Sequence, residues 1–150
     1  MKKSLDSAFT LKSLKASGFK RIGLWKHDKE TERLTLKGRL PEEMAIYLFV
    51  IRGIVKYVGK SENVCARMKQ YARGVPNGSR KVDEGIVESI AEGLNIGVYM
   101  YPIDIQDQFV LQKGLPVDLV CGIERALIKE LNPEWNGYRK KAVSELRPVR

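Results

Sequence analysis

Residues 45–71 read AIYLFVIRGIVKYVGKSENVCARMKQY, and this stretch decides the fold. Residues 45–51 are continuously apolar and rich in β-branched and aromatic side chains, as expected of a strand that is buried on both faces. Residues 54–59 form a second β-type run a few positions later. Two such runs separated by a short link containing glycine are predicted to pair as a β-hairpin.

The length of the hairpin loop decides where the two tyrosines of these runs, Tyr47 and Tyr57, point. A two-residue loop, 52–53, pairs Tyr47 with Val58 and puts the tyrosines on opposite faces. A three-residue loop, 51–53, pairs Tyr47 directly with Tyr57 and puts both on one face. The glycine at its last position supplies the left-handed residue that such a loop needs. We therefore expect the three-residue loop.

The remainder of the stretch has the period of an amphipathic helix. Ser61 is predicted to cap a helix over residues 62–72, with Glu62 favourably placed near its positive end. The apolar stripe of this helix consists of Val64, Met68, Tyr71 and Ala72. Arg67 falls on the same face by the i, i+3, i+4 rule, so a cation is expected beside a largely apolar surface.

A carboxylate interrupts the apolar face of the last predicted helix, which runs from about Pro116 to Leu131. The apolar positions, which repeat with helical spacing, are Val117, Val120, Cys121, Leu127, Ile128 and Leu131. Glu124 lies in the middle of this stripe, where a carboxylate is costly unless it is paired or bound to metal. A structural ion pair with Arg67 and a functional site are both consistent with this position.

Two more helices and one more strand are predicted. Residues 10–17 form a short helix, and Ser79 caps another that carries an apolar stripe and ends at Gly93. Residues 95–101 read as a strand. Residues 103–115 are predicted to be irregular.

These elements predict a small α/β domain with a central three-stranded antiparallel sheet flanked by helices. Residues 1–40, which include the extended segment FKRIGLWKH, are expected to form a basic N-terminal extension packed on the core, because so short a segment rarely folds alone. Residues 41–150 are expected to form the core domain with a basic C-terminal tail.

The composition indicates a globular, cytoplasmic protein. Of the 150 residues, 43% are hydrophobic and 30% are charged, and no apolar run approaches the roughly 20 residues that span a bilayer. Cys65 and Cys121 lack a CxxC partner, and a single His is too few for a Cys/His zinc site. Both cysteines are expected to be reduced and to act as small core residues.

The net charge of +9 is concentrated at the ends of the chain. Residues 1–40 carry a net +7 and residues 139–150 a net +4, whereas residues 41–138 carry a net −2. Basic ends around a near-neutral core favour contacts with a phosphate backbone. The candidate DNA-binding residues are Lys12, Lys15, Lys20, Arg21, Arg73, Arg139, Lys140 and Lys141.

The spacing of the polar residues resembles that of the GIY-YIG nuclease family over about residues 45–138. Tyr47 and Tyr57 match the tyrosines of the two sequence elements that give the family its name, with Ala45 in place of the first glycine and Val58 in place of isoleucine. Further family positions are matched by Lys60, Arg67, Tyr71, Glu124 and Asn136.

The resemblance implies a DNA endonuclease that uses one divalent metal ion. Glu124 would hold Mg²⁺ or Mn²⁺, and Arg67 and Lys60 would neutralise the charge that develops on the phosphate. A tyrosinate would take the proton from the attacking water, and the sequence does not decide between Tyr47 and Tyr57. Tyr71 and Asn136 complete the implied catalytic set.

The short chain favours the restriction-type or mobile-element branch of the family over the excision-repair branch. A monomer or a homodimer on DNA is consistent with the sequence. Two other hypotheses remain: a DNA-binding module that kept the fold but lost catalysis, and a structural interaction domain. An HNH site or a two-metal His/Asp cluster is disfavoured, because His27 is the only histidine.

Overall fold

The computed structural model describes residues 9–28, 33–73 and 80–137. The α-helices of the described part are α1 (Leu11–Ser17), α2 (Val64–Arg73), α3 (Lys81–Ala91) and α4 (Leu119–Leu131). Its strands are β1 (Lys20–Asp28), β2 (Arg33–Gly38), β3 (Ala45–Ile51), β4 (Ile54–Ser61), β5 (Ile96–Pro102), β6 (Phe109–Gln112) and β7 (Leu115–Asp118). A short 3₁₀ helix precedes β6. None of the described helices combines the length and the apolar character needed to cross a lipid bilayer.

Five strands form the central sheet in the order β2-β1-β5-β3-β4, with every neighbouring pair antiparallel. All seven residues of β3 are buried, as the continuous apolar run predicts. The strand β4 lies at one edge of the sheet. The pair β6-β7 forms a separate two-stranded ribbon.

The side chains of β3 alternate between two hydrophobic clusters, one on each face of the sheet. Tyr47 and Phe49 belong to the first cluster, together with buried residues of α2 and α3. Ile46 and Leu48 belong to the second, together with buried residues of α1 and α4. We refer to these as the tyrosine face and the α4 face of the sheet.

The predicted α/β class and the antiparallel central sheet are confirmed, although the sheet has five strands and not three. The two additional strands come from the N-terminal segment, because β1 pairs with both β2 and β5. The alternation of apolar and polar residues in RLTLKG at 33–38 signals β2, but the high charge around it hides the pattern. The predicted boundary at residue 40 stays a prediction.

The β3–β4 hairpin has neither of the registers considered from the sequence. Its loop is the two-residue Arg52-Gly53, with φ of 50° and 77° as a type I′ turn requires. A bulge then follows: Val50 pairs with Val55 but Phe49 pairs with Tyr57. The extra residue returns the second tyrosine to the face of the first, so the predicted three-residue loop is wrong while the shared face is right.

Two helix starts differ from the predictions. In α2 the cap is Asn63, whose Oδ1 accepts from the Ala66 N–H at 3.0 Å, and Ser61 instead hydrogen-bonds the Asn63 backbone. The helix α4 begins at Leu119, because Asp118 Oδ1 accepts from the Val120 N–H at 2.9 Å and so caps the helix. The predicted cap of α3, at position 79, lies outside the described residues.

The segment 103–115, predicted to be irregular, contains most of the β6-β7 ribbon and its two-residue turn. Val117 therefore lies in β7 and is 40% exposed, and is not part of the last helix. Cys121, predicted to be a core residue, is exposed, and Cys65 is partly buried. The apolar stripe of α4 is formed by Val120 and Leu127 with partly buried neighbours.

Candidate active site at the outer edge of the sheet

Three tyrosines form a cluster on the tyrosine face. The hydroxyls of Tyr47 and Tyr71 lie 2.7 Å apart, within hydrogen-bond distance, and both side chains are buried. The Tyr57 ring lies 6.0 Å from the Tyr47 ring and 5.7 Å from that of Phe49, measured between centroids. Tyr57 is only partly buried, so it is the outermost of the three tyrosines.

A glycine makes room for this cluster. Gly59 pairs with Tyr47 across the hairpin, and a Cβ at Gly59 would overlap the Tyr47 ring. The tyrosine ring therefore lies across the backbone of β4, where any side chain at position 59 would displace it. This is the physical reason for a glycine two residues after Tyr57.

Burial makes two of the three tyrosines poor bases in this structure. Burial raises the pKa of Tyr47 well above its usual range, and the neighbouring Tyr71 and Tyr57 hydroxyls raise it further. Burial likewise raises the pKa of Tyr71, with the Tyr57 hydroxyl as the next cause. A phenolate at either position would lie in an apolar surrounding that favours the neutral form.

Arg67 connects the tyrosine cluster to an open pocket. Its charge acts on Tyr47, whose pKa it lowers slightly against the larger effect of burial. Arg67 and Lys60 both line the pocket, which has a volume of about 460 Å³ and also contains Asp118 and Cys121. Lys60 of β4 and Arg67 of α2 therefore line the same concave surface.

Glu124 of α4 lies next to Lys60 but is not among the residues that line this pocket. Its Oε1 lies 4.0 Å from Lys60 Nζ, and about a fifth of its side chain is exposed. The predicted place in the middle of the buried stripe is wrong: Glu124 lies at the border of the packed face. Its ion-pair partner is Lys60 and not Arg67, which forms no ion pair among the described residues. Burial raises the pKa of the Glu124 carboxyl, and Lys60 opposes this effect.

Two residues that the sequence interpretation did not assign to the site hold Lys60 in place. Lys60 Nζ donates to Cys121 Sγ at 3.0 Å, and Cys121 Sγ donates to Asp118 Oδ2 at 3.3 Å. The hydrogen bond to Cys121 is the main reason that the pKa of Lys60 is raised, with Glu124 contributing. An Asp directly before a helical period is a signal for the cap, but nothing local in the sequence indicates the contact with Lys60.

Asn136 lies at the outer edge of β4. Its Oδ1 accepts from the Val58 N–H and its Nδ2 donates to the Val58 carbonyl, both at 2.8 Å. Next to it, the Trp135 N–H donates to the Lys56 carbonyl at 2.8 Å. The predicted site residue Asn136 therefore contacts the strand that carries Tyr57 and Lys60, and it acts on the backbone.

Comparison with known proteins gives structural likenesses only. No protein-family model matches the sequence, and no curated protein matches it. A mutant of bacteriophage T4 EndoII superposes with a TM-score of 0.65 at 17% identity, over 85% of this chain and 99% of the other. The restriction endonuclease HPY188I in complex with product DNA gives a TM-score of 0.52 at 17% identity, over 97% and 92%. The GIY-YIG N-terminal endonuclease domain of UvrC from Thermotoga maritima, bound to magnesium, gives 0.45 at 20% identity, over 65% and 88%.

The chain shares its fold with T4 EndoII and with the restriction endonuclease HPY188I. This likeness agrees with the α/β fold predicted for residues 45–138, and the family named from the resemblance stays a prediction. The first two likenesses carry this conclusion, and at their level of identity they concern the fold alone. The roles of individual residues stay predictions.

The structure contains a carboxylate suited to a divalent cation at Glu124, the predicted position. Within the described ranges, no three His, Cys, Asp or Glu side chains converge on a common point. A hard cation such as Mg²⁺ needs no such cluster, because it keeps several waters and is often held by one or two carboxylates. Burial raises the pKa of the Glu124 carboxyl. A cation bound beside it would favour the charged carboxylate and so oppose this effect.

The predicted DNA-binding residues are exposed wherever the structure describes them. Lys12 and Lys15 lie on α1, and Lys20 and Arg21 lie at the start of β1. Arg73 ends α2. Arg21 lines a second pocket at the hairpin end of the sheet, apart from that of Lys60 and Arg67. The C-terminal candidates Arg139, Lys140 and Lys141 lie outside the described residues.

Proposed function

We propose that the chain is a divalent-metal-dependent DNA endonuclease that hydrolyses phosphodiester bonds. One observation carries the proposal. Lys60 and Arg67 line the same open pocket, with the tyrosine cluster behind Arg67 and the Glu124 carboxylate 4.0 Å from Lys60 Nζ. The two cations line the pocket, the carboxylate adjoins it through Lys60, and the partly exposed Tyr57 lies on the same edge strand as Lys60. Two cations, a carboxylate and a tyrosine around one edge of the sheet are groups that phosphoryl transfer to water can use.

The two cations are suited to different tasks. Arg67 lines the pocket and forms no ion pair among the described residues, so its planar guanidinium is available for two non-bridging phosphate oxygens. Lys60 is held by Cys121 at 3.0 Å and therefore has a fixed position at the pocket wall. We assign Arg67 to the charge that grows on the phosphate and Lys60 to orientation of the same group.

We assign the general base to Tyr57. A tyrosine must be a phenolate to accept the proton of the attacking water, and its ordinary pKa is about 10. Burial shifts the pKa of Tyr47 further in the unfavourable direction, whereas Tyr57 is partly exposed on the edge strand. In the reaction, the water oxygen bonds to phosphorus, the bond from phosphorus to the 3′ oxygen breaks, and the water proton passes to Tyr57.

The metal ion would be held by Glu124. Bound there, Mg²⁺ or Mn²⁺ supplies Lewis-acid stabilisation of the phosphate and of the departing oxygen. The same fold occurs in a restriction endonuclease that was solved with product DNA, which supports DNA as the substrate class. The exposed basic residues of α1 and β1 would contact the phosphate backbone away from the reacting group.

The test is cleavage of supercoiled plasmid in Mg²⁺, in Mn²⁺ and in EDTA, followed by mapping of the ends. Glu124→Gln, which keeps the shape and removes the charge, should lose activity by orders of magnitude because metal stabilisation contributes several kcal/mol. Glu130→Gln on the same helix is the matched control and should cleave normally. Equal activity of the two variants would exclude Glu124 as the ligand.

The same assay separates the alternatives. Arg67→Lys should also be severe, because a point charge cannot reproduce the fork geometry, and Arg125→Lys on α4 is its control. Salt-sensitive binding of DNA without cleavage in either metal would identify a DNA-binding module that lacks catalysis. Absence of both binding and cleavage would favour a structural interaction domain.

A further inference from the structure

The ribbon β6-β7 exposes its apolar side chains to solvent. Between Phe109 and Val117 the only charged residue is Lys113, in a chain of net charge +9. The exposed fractions of the large apolar side chains are 59% for Phe109, 42% for Val110, 74% for Leu111, 68% for Leu115 and 40% for Val117. An isolated two-stranded ribbon is marginally stable in water and normally needs further strands or a helix to cover it.

Only one edge of the ribbon can accept another strand. The turn Lys113-Gly114, with φ of 50° and 79°, is a two-residue loop, so Gln112 and Leu115 exchange both hydrogen bonds. By alternation, the backbone groups of 110 and 117 also point into the ribbon, and those of 109, 111, 116 and 118 point outward. On β7 the outward position 116 is a proline, which has no N–H to donate.

Within the described part of the chain, the N–H and C=O groups of Phe109 and Leu111 at the outer edge of β6 therefore have no backbone partner. Neither residue donates a backbone hydrogen bond to a turn or loop in the described ranges. Charged edge residues that commonly prevent strand addition are missing from β6, whose sequence is FVLQ. The outer edge of β6 therefore combines accessible backbone groups with the exposed apolar side chains of Phe109 and Leu111.

We propose that two copies of this chain associate through β6, whose outer edges pair antiparallel to form a four-stranded sheet. A two-fold axis makes such an interface self-complementary, because each copy offers the same donors and acceptors. The five exposed apolar side chains offer on the order of 500 Å² per copy. Pairing of the β6 edges covers the part that Phe109, Val110 and Leu111 turn toward the partner, so the interface belongs to the small size class.

Charge decides between a second copy and DNA as the occupant. A polyanion is attracted to clustered Lys and Arg, and the ribbon contributes one lysine at its tip. Two molecules of net charge +9 repel each other except where they meet on neutral surface, and the ribbon supplies that surface. A second copy is therefore the occupant that the ribbon fits.

The test is sedimentation equilibrium of the full chain without DNA, so that its result does not depend on nuclease activity. At about 100 µM the wild type should have twice the 17.0 kDa mass of one chain. Leu111→Lys, which places a charge on the pairing edge, should be monomeric. Val87→Lys, at a 69% exposed valine on α3, is the matched control and should remain dimeric.

Far-UV circular dichroism should show that both variants fold, since both side chains are exposed. A monomeric wild type at this concentration would overturn the proposal, and so would a Leu111→Lys variant that stays dimeric. If Leu111→Lys leaves the mass unchanged but weakens binding to a short duplex, the ribbon contacts DNA and the proposed association is wrong.

Discussion

Asn136 gives Val58 both of the hydrogen bonds that a neighbouring strand would give it, each 2.8 Å long. The Asn136 side chain thereby occupies the outer edge of β4 at Val58, which lies between Tyr57 and Gly59. The neighbouring Trp135 N–H reaches the carbonyl of Lys56, the residue of the bulge that decides where Tyr57 points. Asn136 therefore supports the backbone of β4 beside Tyr57, a contact that its place in the matched sequence pattern does not reveal.

Replacing Asn136 with Ala should destabilise the fold by about 1–3 kcal/mol, because both Val58 backbone groups lose their partner at a partly buried edge. Urea unfolding measures the difference. Asn95→Ala, at an exposed asparagine between α3 and β5, is the control and should change stability by no more than about 0.5 kcal/mol. An equal effect of both substitutions would show that the Asn136 side chain does not stabilise the edge.

Gly59→Ala should be among the most destabilising single-methyl additions in the chain, by about 1–3 kcal/mol, because the Cβ overlaps the Tyr47 ring. The control is Gly122→Ala, where the added Cβ meets nothing within 4 Å inside α4. That change should stabilise the protein by about 0.5–1 kcal/mol through helix propensity. Thermal unfolding of the two variants should therefore shift in opposite directions, and a shift of Gly59→Ala to higher temperature contradicts the described packing.

Tyr57→Phe should abolish cleavage, whereas Tyr47→Phe should retain a measurable single-turnover rate. The reason is that burial raises the pKa of Tyr47 and keeps its hydroxyl protonated beside Tyr71, while Tyr57 is partly exposed on the edge strand. Rates are compared at saturating enzyme, after unfolding curves have shown that both variants are folded. The reverse order of rates would assign the base to Tyr47.

Glu124→Gln should stabilise the metal-free protein at neutral pH and have no such effect at acidic pH. Burial raises the pKa of this carboxyl in the folded state, so its ionisation favours unfolding. The resulting loss of stability is absent below the unfolded-state pKa of about 4.3 and complete above the folded-state pKa. Melting temperatures in EDTA should therefore converge with the wild type as the pH falls to about 4. A difference that is the same at both ends of the range would not arise from ionisation.

The N-terminal basic residues should contribute to DNA affinity and not to the chemical step. The variant replaces four exposed residues with Gln: Lys12, Lys15, Lys20 and Arg21. Its binding should weaken and its dependence on salt should flatten, by roughly one slope unit for each phosphate that the variant no longer neutralises. The control replaces four lysines from other elements: Lys69, Lys81, Lys113 and Lys129. If DNA binding by the two variants has the same salt dependence, the effect comes from the net charge of the protein and not from these four positions.

Local periodicity was sufficient to predict the elements that face the core. The run 45–51, the strand near 95–101 and the stripes of α2 and α3 depend on patterns within a few residues, and the structure contains these elements. Ala72, predicted to belong to the α2 stripe, is exposed, so that stripe consists of Val64, Met68 and Tyr71. The bulge at Lys56 is different, because the group that bonds its carbonyl comes from Trp135, far along the chain. No window around the hairpin contains that information.

The position of Glu124 illustrates a second limit. The stripe that begins at Val117 assumes that the helix already includes this residue, but Asp118 caps the helix, which starts only at Leu119. The rotation of α4 is then fixed by Val120 and Leu127 against the sheet, which places Glu124 at the border. Pattern matching identified the residue, and packing decided its environment.

The bonds from Trp135 and Asn136 to β4 join segments nearly 80 residues apart, and they set an order on folding during synthesis. The hairpin can form early, but its outer strand stays open until the last described residues have left the ribosome. Contacts of such long range close late, since the loop between them must be ordered first. A nascent chain that stops before residue 135 therefore carries every residue of the pocket without the backbone support that aligns them.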